Sequence, residues 1–102
     1  MSDDLPTVVE MLHRRLQIVH EISAAQSRNV RNRQMGGGAE FEVQRIEQEI
    51  AAAGRSQALA SALEDARSRL KRANAEMAAC EADCAELERC LEELDRRIAA
   101  GG

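Results

Sequence analysis

The stretch 31-RNRQMGGGAEFE-42 decides the fold. Three consecutive glycines stand between a cluster of arginines and an acidic, aromatic segment. Such a run can cradle a phosphate, act as a hinge, or turn one helix back on another. A phosphate loop of the Walker type needs Gly-Lys followed by Ser or Thr, after a strand and before a helix. Here Ala39 and Glu40 follow Gly38, no strand pattern precedes, and an acidic side chain at that point repels phosphate. The stretch reads as a turn between helices, since glycine tolerates the left-handed conformation that ends them.

On the amino-terminal side, Pro6 suits a first helical turn and Asp3 and Asp4 favour the positive end of its dipole. Leu5, Val9, Leu12, Leu16 and Val19 recur at steps of four and three, the spacing of a heptad seam. Ser23 and Gln26 continue that register as polar residues and Val30 recovers it. Arg28, Arg31 and Arg33 then cluster where cations complement a helix carboxyl end.

On the other side the pattern restarts as Val43, Ile46, Ile50 and Ala53, weakens at Gly54 and Gln57, and resumes from Leu59 to Ile98. By pattern alone this is one helix of roughly 60 residues, about twice the first, at 1.5 Å per residue. The excess must meet a partner or fold back. Asp83 followed by Glu86 has the spacing of a capped helix start, so a fold-back is placed near Ala78–Asp83. Two architectures stay open. One is an elongated antiparallel three-helix bundle or coiled coil, all-α, with helices at about 5–35, 39–77 and 82–99 in a single domain, 1–102. The other is a two-helix hairpin whose overhang dimerises.

Composition agrees with long helices. Hydrophobic residues make up 44%, many of them alanine, with one Phe and no Trp or Tyr. Charged residues make up 31% and the net charge is −4. No apolar run approaches the roughly 20 residues of a membrane span, and the acidic start lacks the pattern of a signal peptide. Cys80, Cys84 and Cys90 form no secreted disulfide framework. A cytoplasmic protein is expected.

Few residues suggest chemistry. Cys80 and Cys84 are one helical turn apart, but zinc takes four ligands and the two histidines, His13 and His20, lie at the other end of the sequence. Those histidines share a helix face without a nucleophile or pocket, so no catalysis, metal or cofactor is expected. Arg28, Arg31 and Arg33, with Arg67, Arg69, Lys71 and Arg72, form two basic patches. Single-stranded nucleic-acid grooves pair such patches with aromatics, and Phe41 is the one aromatic residue. A basic face meeting an acidic protein is the sharper expectation.

The order of features resembles the tubulin-binding cofactor A (tubulin-specific chaperone A) family. Val8, Val9 and Leu12 open a long first helix, and Phe41-Glu42-Val43-Gln44-Arg45 follows a glycine loop. Leu63-Glu64 with Ala66 to Leu70 stands late in helix two. The chain departs from the family at Ala58-Leu59, where a proline is usual, and in carrying arginines for lysines. The resemblance implies a three-helix bundle, monomeric or dimeric, that captures and buffers β-tubulin after the chaperonin and passes it to other tubulin-folding cofactors. It implies a cytoskeleton-associated role without nucleic acid or membrane. The partner-binding residues are expected to be Arg28, Arg31, Arg33, Phe41, Arg45, Arg67 and Arg69. The alternative is a structural coiled-coil adaptor, or an oligomeric helical-hairpin subunit, with another protein partner.

Overall fold

The computed structural model describes residues 7–101. They form two α-helices, α1 (Val8–Ala53) and α2 (Gln57–Ala99), in place of the three expected. The all-α expectation holds. The turn expected at Gly36–Gly38 and the fold-back expected near Ala78–Asp83 both fall inside continuous helix. The expected helix ends at 35 and 77 disappear with them, as does the long overhang of the hairpin alternative. The readings at Asp3, Asp4, Leu5 and Pro6 lie outside the described residues.

The true boundaries are set by capping chemistry. The Thr7 hydroxyl accepts the backbone N–H of Glu10 at 3.1 Å, satisfying one of the free donors of the first turn of α1. Gly54 ends α1 with φ of 89°, and its N–H donates to the Ile50 carbonyl at 2.9 Å. A side chain would clash in that left-handed conformation, which is why glycine occupies it. Two residues on, the Ser56 hydroxyl accepts the N–H of Leu59 at 3.1 Å and opens α2.

The chain divides into two compact units. Unit 2 comprises Arg28–Ala79, and unit 1 joins the chain up to Ser27 to the chain from Cys80 onward. In unit 2, Ile46, Leu63 and Ala66 form a buried cluster flanked by Val43, Ile50, Leu59 and Ala62. Arg67 meets Glu47 at 3.1 Å and Arg69 meets Glu42 at 3.3 Å, so α2 numbers rise as α1 numbers fall and the pair is antiparallel. In unit 1, Met11, Ile18 and Leu94 are buried, with Ile22, Leu87, Leu91 and Ile98 packed on them. Arg15 donates to Asp95 at 2.7 Å, and that hydrogen bond, with the attraction of the carboxylate, raises the Arg15 pKa.

The seam of α2 is the expected one. Leu59, Leu63, Ala66, Leu70, Ala73, Met77, Cys80, Cys84, Leu87, Leu91, Leu94 and Ile98 are all buried or half-buried. The seam of α1 is different from the expected one in its first half. Met11, Arg15, Ile18, Ile22, Ala25, Asn29, Asn32, Gly36 and Ala39 lie buried or half-buried, followed by Val43, Ile46 and Ile50. Val9, Leu12, Leu16, Val19, Ser23, Gln26 and Val30 are exposed. Both sets have heptad spacing, but only the buried one runs in phase into Val43, Ile46 and Ile50. The exposed set would reach those positions out of register. A continuous α2 seam therefore selects the first set and carries α1 through the glycines.

Gly36 sits in that seam. A methyl group there would lie 3.5 Å from the Ala73 side chain, and nothing lies within 4 Å of such a group at Gly37 or Gly38. Three glycines weaken a helix by about 1 kcal/mol each relative to alanine. Burying Ile46 alone contributes a comparable amount, about 1.5–3 kcal/mol.

Candidate protein-binding surface

All seven expected contact residues belong to unit 2 and none is buried. They do not form one cluster. Arg67 and Arg69 are two positions apart on α2 and fall on opposite sides of the seam, one held by Glu47 and the other by Glu42. Arg45 is held along α1 by Glu49 at 2.8 Å and Glu42 at 3.7 Å. These three guanidinium groups are already matched by carboxylates within the unit. Exposed pairs of this kind contribute little to stability, but they cancel charge that a partner could otherwise use.

Arg28, Arg31 and Arg33 have no acidic partner within 4 Å among the described residues. Arg31 and Arg33 project roughly 80° to either side of Phe41, since each helical residue turns about 100°. Arg28 lies further round, on the side of α1 that carries Met35 and Glu42.

Phe41 is 70% exposed, the most open of the large apolar side chains among the described residues. Val30, Gln34, Gly37 and Gly38 share its outward face of α1, and all are exposed. The two glycines leave bare helix backbone beside the ring. The result is a mixed strip, with Val30 and Gln34 at one end between the unmatched Arg31 and Arg33, and the phenyl ring at the other. Interfaces pair an apolar centre with a polar rim, and aromatic residues and arginine dominate their binding energy.

A separate open groove of about 400 Å³ is lined by Met35, Ala39, Arg69, Arg72, Ala73 and Glu76. Its floor is alanine because small residues meet where Gly36 brings the helices close. Arg72 was noticed in sequence only as part of a basic patch; its place beside Arg69 on this groove depends on the antiparallel register.

None of the three cysteines forms a disulfide: Cys80 is buried, Cys84 half-buried and Cys90 exposed. Among the described residues no group of three or more His, Cys, Asp or Glu could hold a metal ion. No helix among them is long and apolar enough to cross a membrane. His13 and His20 are exposed on α1 of unit 1.

No protein-family model, curated protein or solved structure matches this chain.

Proposed function

We propose that the protein is a non-catalytic coiled-coil adaptor that docks an acidic protein surface on the outward face of α1 in unit 2. The observation that carries this reading is Phe41, the single aromatic residue of the chain, left 70% exposed beside two glycines, with the unmatched Arg31 and Arg33 about 12–15 Å along the same helix. An aromatic ring in that setting supplies the apolar anchor. Arg31 and Arg33 supply charge that steers an acidic partner and fixes its register. The arginines at 45, 67 and 69 take a supporting part, because carboxylates within the unit already engage them.

β-Tubulin is the named candidate for that partner. The local match that supports it is Phe41-Glu42-Val43-Gln44-Arg45, of which Phe41, Gln44 and Arg45 are exposed while Val43 packs against the buried cluster of the unit. The third helix that the cofactor family would bring is not formed, so the tubulin reading rests on this segment and on charge complementarity with an acidic partner.

The test is capture of tubulin from cytosol on the purified protein, at low and at physiological salt. Selective capture of β- over α-tubulin that weakens as salt rises is the expected result. Phe41→Ala and the double reversal Arg31→Glu with Arg33→Glu should each reduce capture by about tenfold or more while helicity by circular dichroism stays unchanged. Capture that neither variant alters would remove this face as the site. No capture of tubulin at either salt would remove β-tubulin as the partner.

A further inference from the structure

The exposed stripe on α1 of unit 1 has a property that the Phe41 face lacks. Among the described residues the apolar members of this register are Val9, Leu12, Leu16 and Val19; they are spaced three, four and three residues apart, and their order, Val-Leu-Leu-Val, reads the same in both directions. Each is between 39% and 62% exposed. Met11, Ile18 and Ile22 of the same helix already cover α2 within the unit, so the stripe is a second, exposed seam.

We propose that this stripe is the interface with a second copy of the chain, packed antiparallel about a two-fold axis between Leu12 and Leu16. That axis sets Val9 against Val19 of the second copy and Leu12 against its Leu16. Every layer then joins a position of one heptad class to the other class, as antiparallel coiled coils require and as α1 and α2 already do inside each unit. An isologous contact must be complementary to itself. A palindromic run of apolar residues with palindromic spacing meets that condition; a stripe made for an unrelated partner has no reason to.

The area is sufficient. With about half of each residue open, the stripe presents on the order of 350 Å² of surface, within the range of the largest patch on a typical monomer, which is often functional. Two copies bury about 700 Å² of apolar area, and at the roughly 65% apolar share of homodimer interfaces the whole contact reaches about 1,100 Å². That is just above the roughly 1,000 Å² that separates specific interfaces from incidental contacts.

Charge gives the contact a signature. Of the fourteen basic and eighteen acidic residues in the chain, unit 2 holds nine and seven, which leaves five and eleven for the rest. Bringing two acidic units together is opposed at low salt and relieved by screening. Self-association therefore tightens as salt rises, the opposite of partner capture by the arginines of unit 2.

The experiment is sedimentation equilibrium of the full chain from about 1 to about 200 µM, at low and high salt, a range that resolves micromolar dissociation constants. A monomer–dimer equilibrium that tightens with salt is expected. Leu16→Glu should weaken it by about tenfold or more with helicity unchanged, because it buries a carboxylate against Leu12 of the second copy. Phe41→Ala should leave it unchanged, so failure of the unit 2 reading and failure of this one are distinguishable. In a Cys90→Ser background, chains with Leu12→Cys should cross-link to chains with Leu16→Cys faster than either does to itself. A monomer at every concentration and salt overturns the proposal, as does a dimer indifferent to Leu16→Glu.

Discussion

Gly36–Gly38 and Gly54 lie on one helix and have opposite effects on it. At the run of three, no φ turns positive and α1 continues. At the lone glycine, φ becomes 89° and α1 stops. Local propensity ranks the two sites the other way. The difference lies in what surrounds them. Gly36 faces Ala73 in a seam that α2 continues on both sides, so leaving the helix there would strip partners from Ile46 and Ile50. Gly54 comes after the last seam residue of α1, and Ser56 waits two positions later to cap the next helix. A helix in this protein ends where its seam is finished and a cap is at hand, even though glycine is present elsewhere.

The largest expected effect comes from removing the packing that holds α1 together after the glycine run. Ile46 is 1% exposed and is the centre of its cluster. Ile46→Ala should lower unfolding stability by about 2–5 kcal/mol in urea titration. Hydrogen exchange should show the loss concentrated in α1 between the two glycine sites. Val30→Ala, on the exposed face, should stay within about 0.5 kcal/mol. If Ile46→Ala and Val30→Ala are equally mild, packing is not what carries the helix past the glycines.

Next in size is the terminating glycine itself. Gly54→Ala places a side chain in the left-handed region and should cost about 1–2 kcal/mol. Nothing else lies within 4 Å of the added methyl group, so the loss would come from local backbone strain and not from a clash with another element. A neutral result would show that the turn finds another conformation easily and that Ser56 alone defines the boundary.

How far the sequence revealed this follows from the same comparison. The α2 seam was legible from Leu59 to Ile98 because large apolar residues or cysteines stand at nearly every heptad position, without glycine or proline to interrupt them. The α1 seam was not, because Arg15, Asn29, Asn32 and Gly36 occupy four of its positions. Asn29 even buries its Oδ1 without a partner among the described residues. Meanwhile Leu12 and Leu16, larger and more regular, drew the reading to the exposed face. The decisive clue was phase: only the set through Met11, Ile18 and Ala25 stays in register with Val43, Ile46 and Ile50. The Gly54–Ser56 pair carried a complete stop-and-start signal, but three adjacent glycines outweighed it. Of the candidate surface, the exposure of Phe41 and the separation of Arg67 from Arg69 required the structure, since both depend on which α1 face meets α2.

The smallest expected effect is the most discriminating. Gly38→Ala adds a methyl group to an exposed helical position where nothing lies within 4 Å. Alanine is favoured over glycine in a helix by about 1 kcal/mol, so this variant should be more stable by about that amount, and Gly37→Ala likewise. A turn at this place, as the bundle reading required, would make the same substitutions neutral or harmful. The two outcomes differ in sign and need only matched urea titrations. The substitutions also cover the bare backbone beside Phe41. If that strip is a binding face, stability should rise while capture of the acidic partner falls. A gain in stability with capture intact would keep the helix and move the contact away from the glycines, leaving Phe41, Arg31 and Arg33 to act without them.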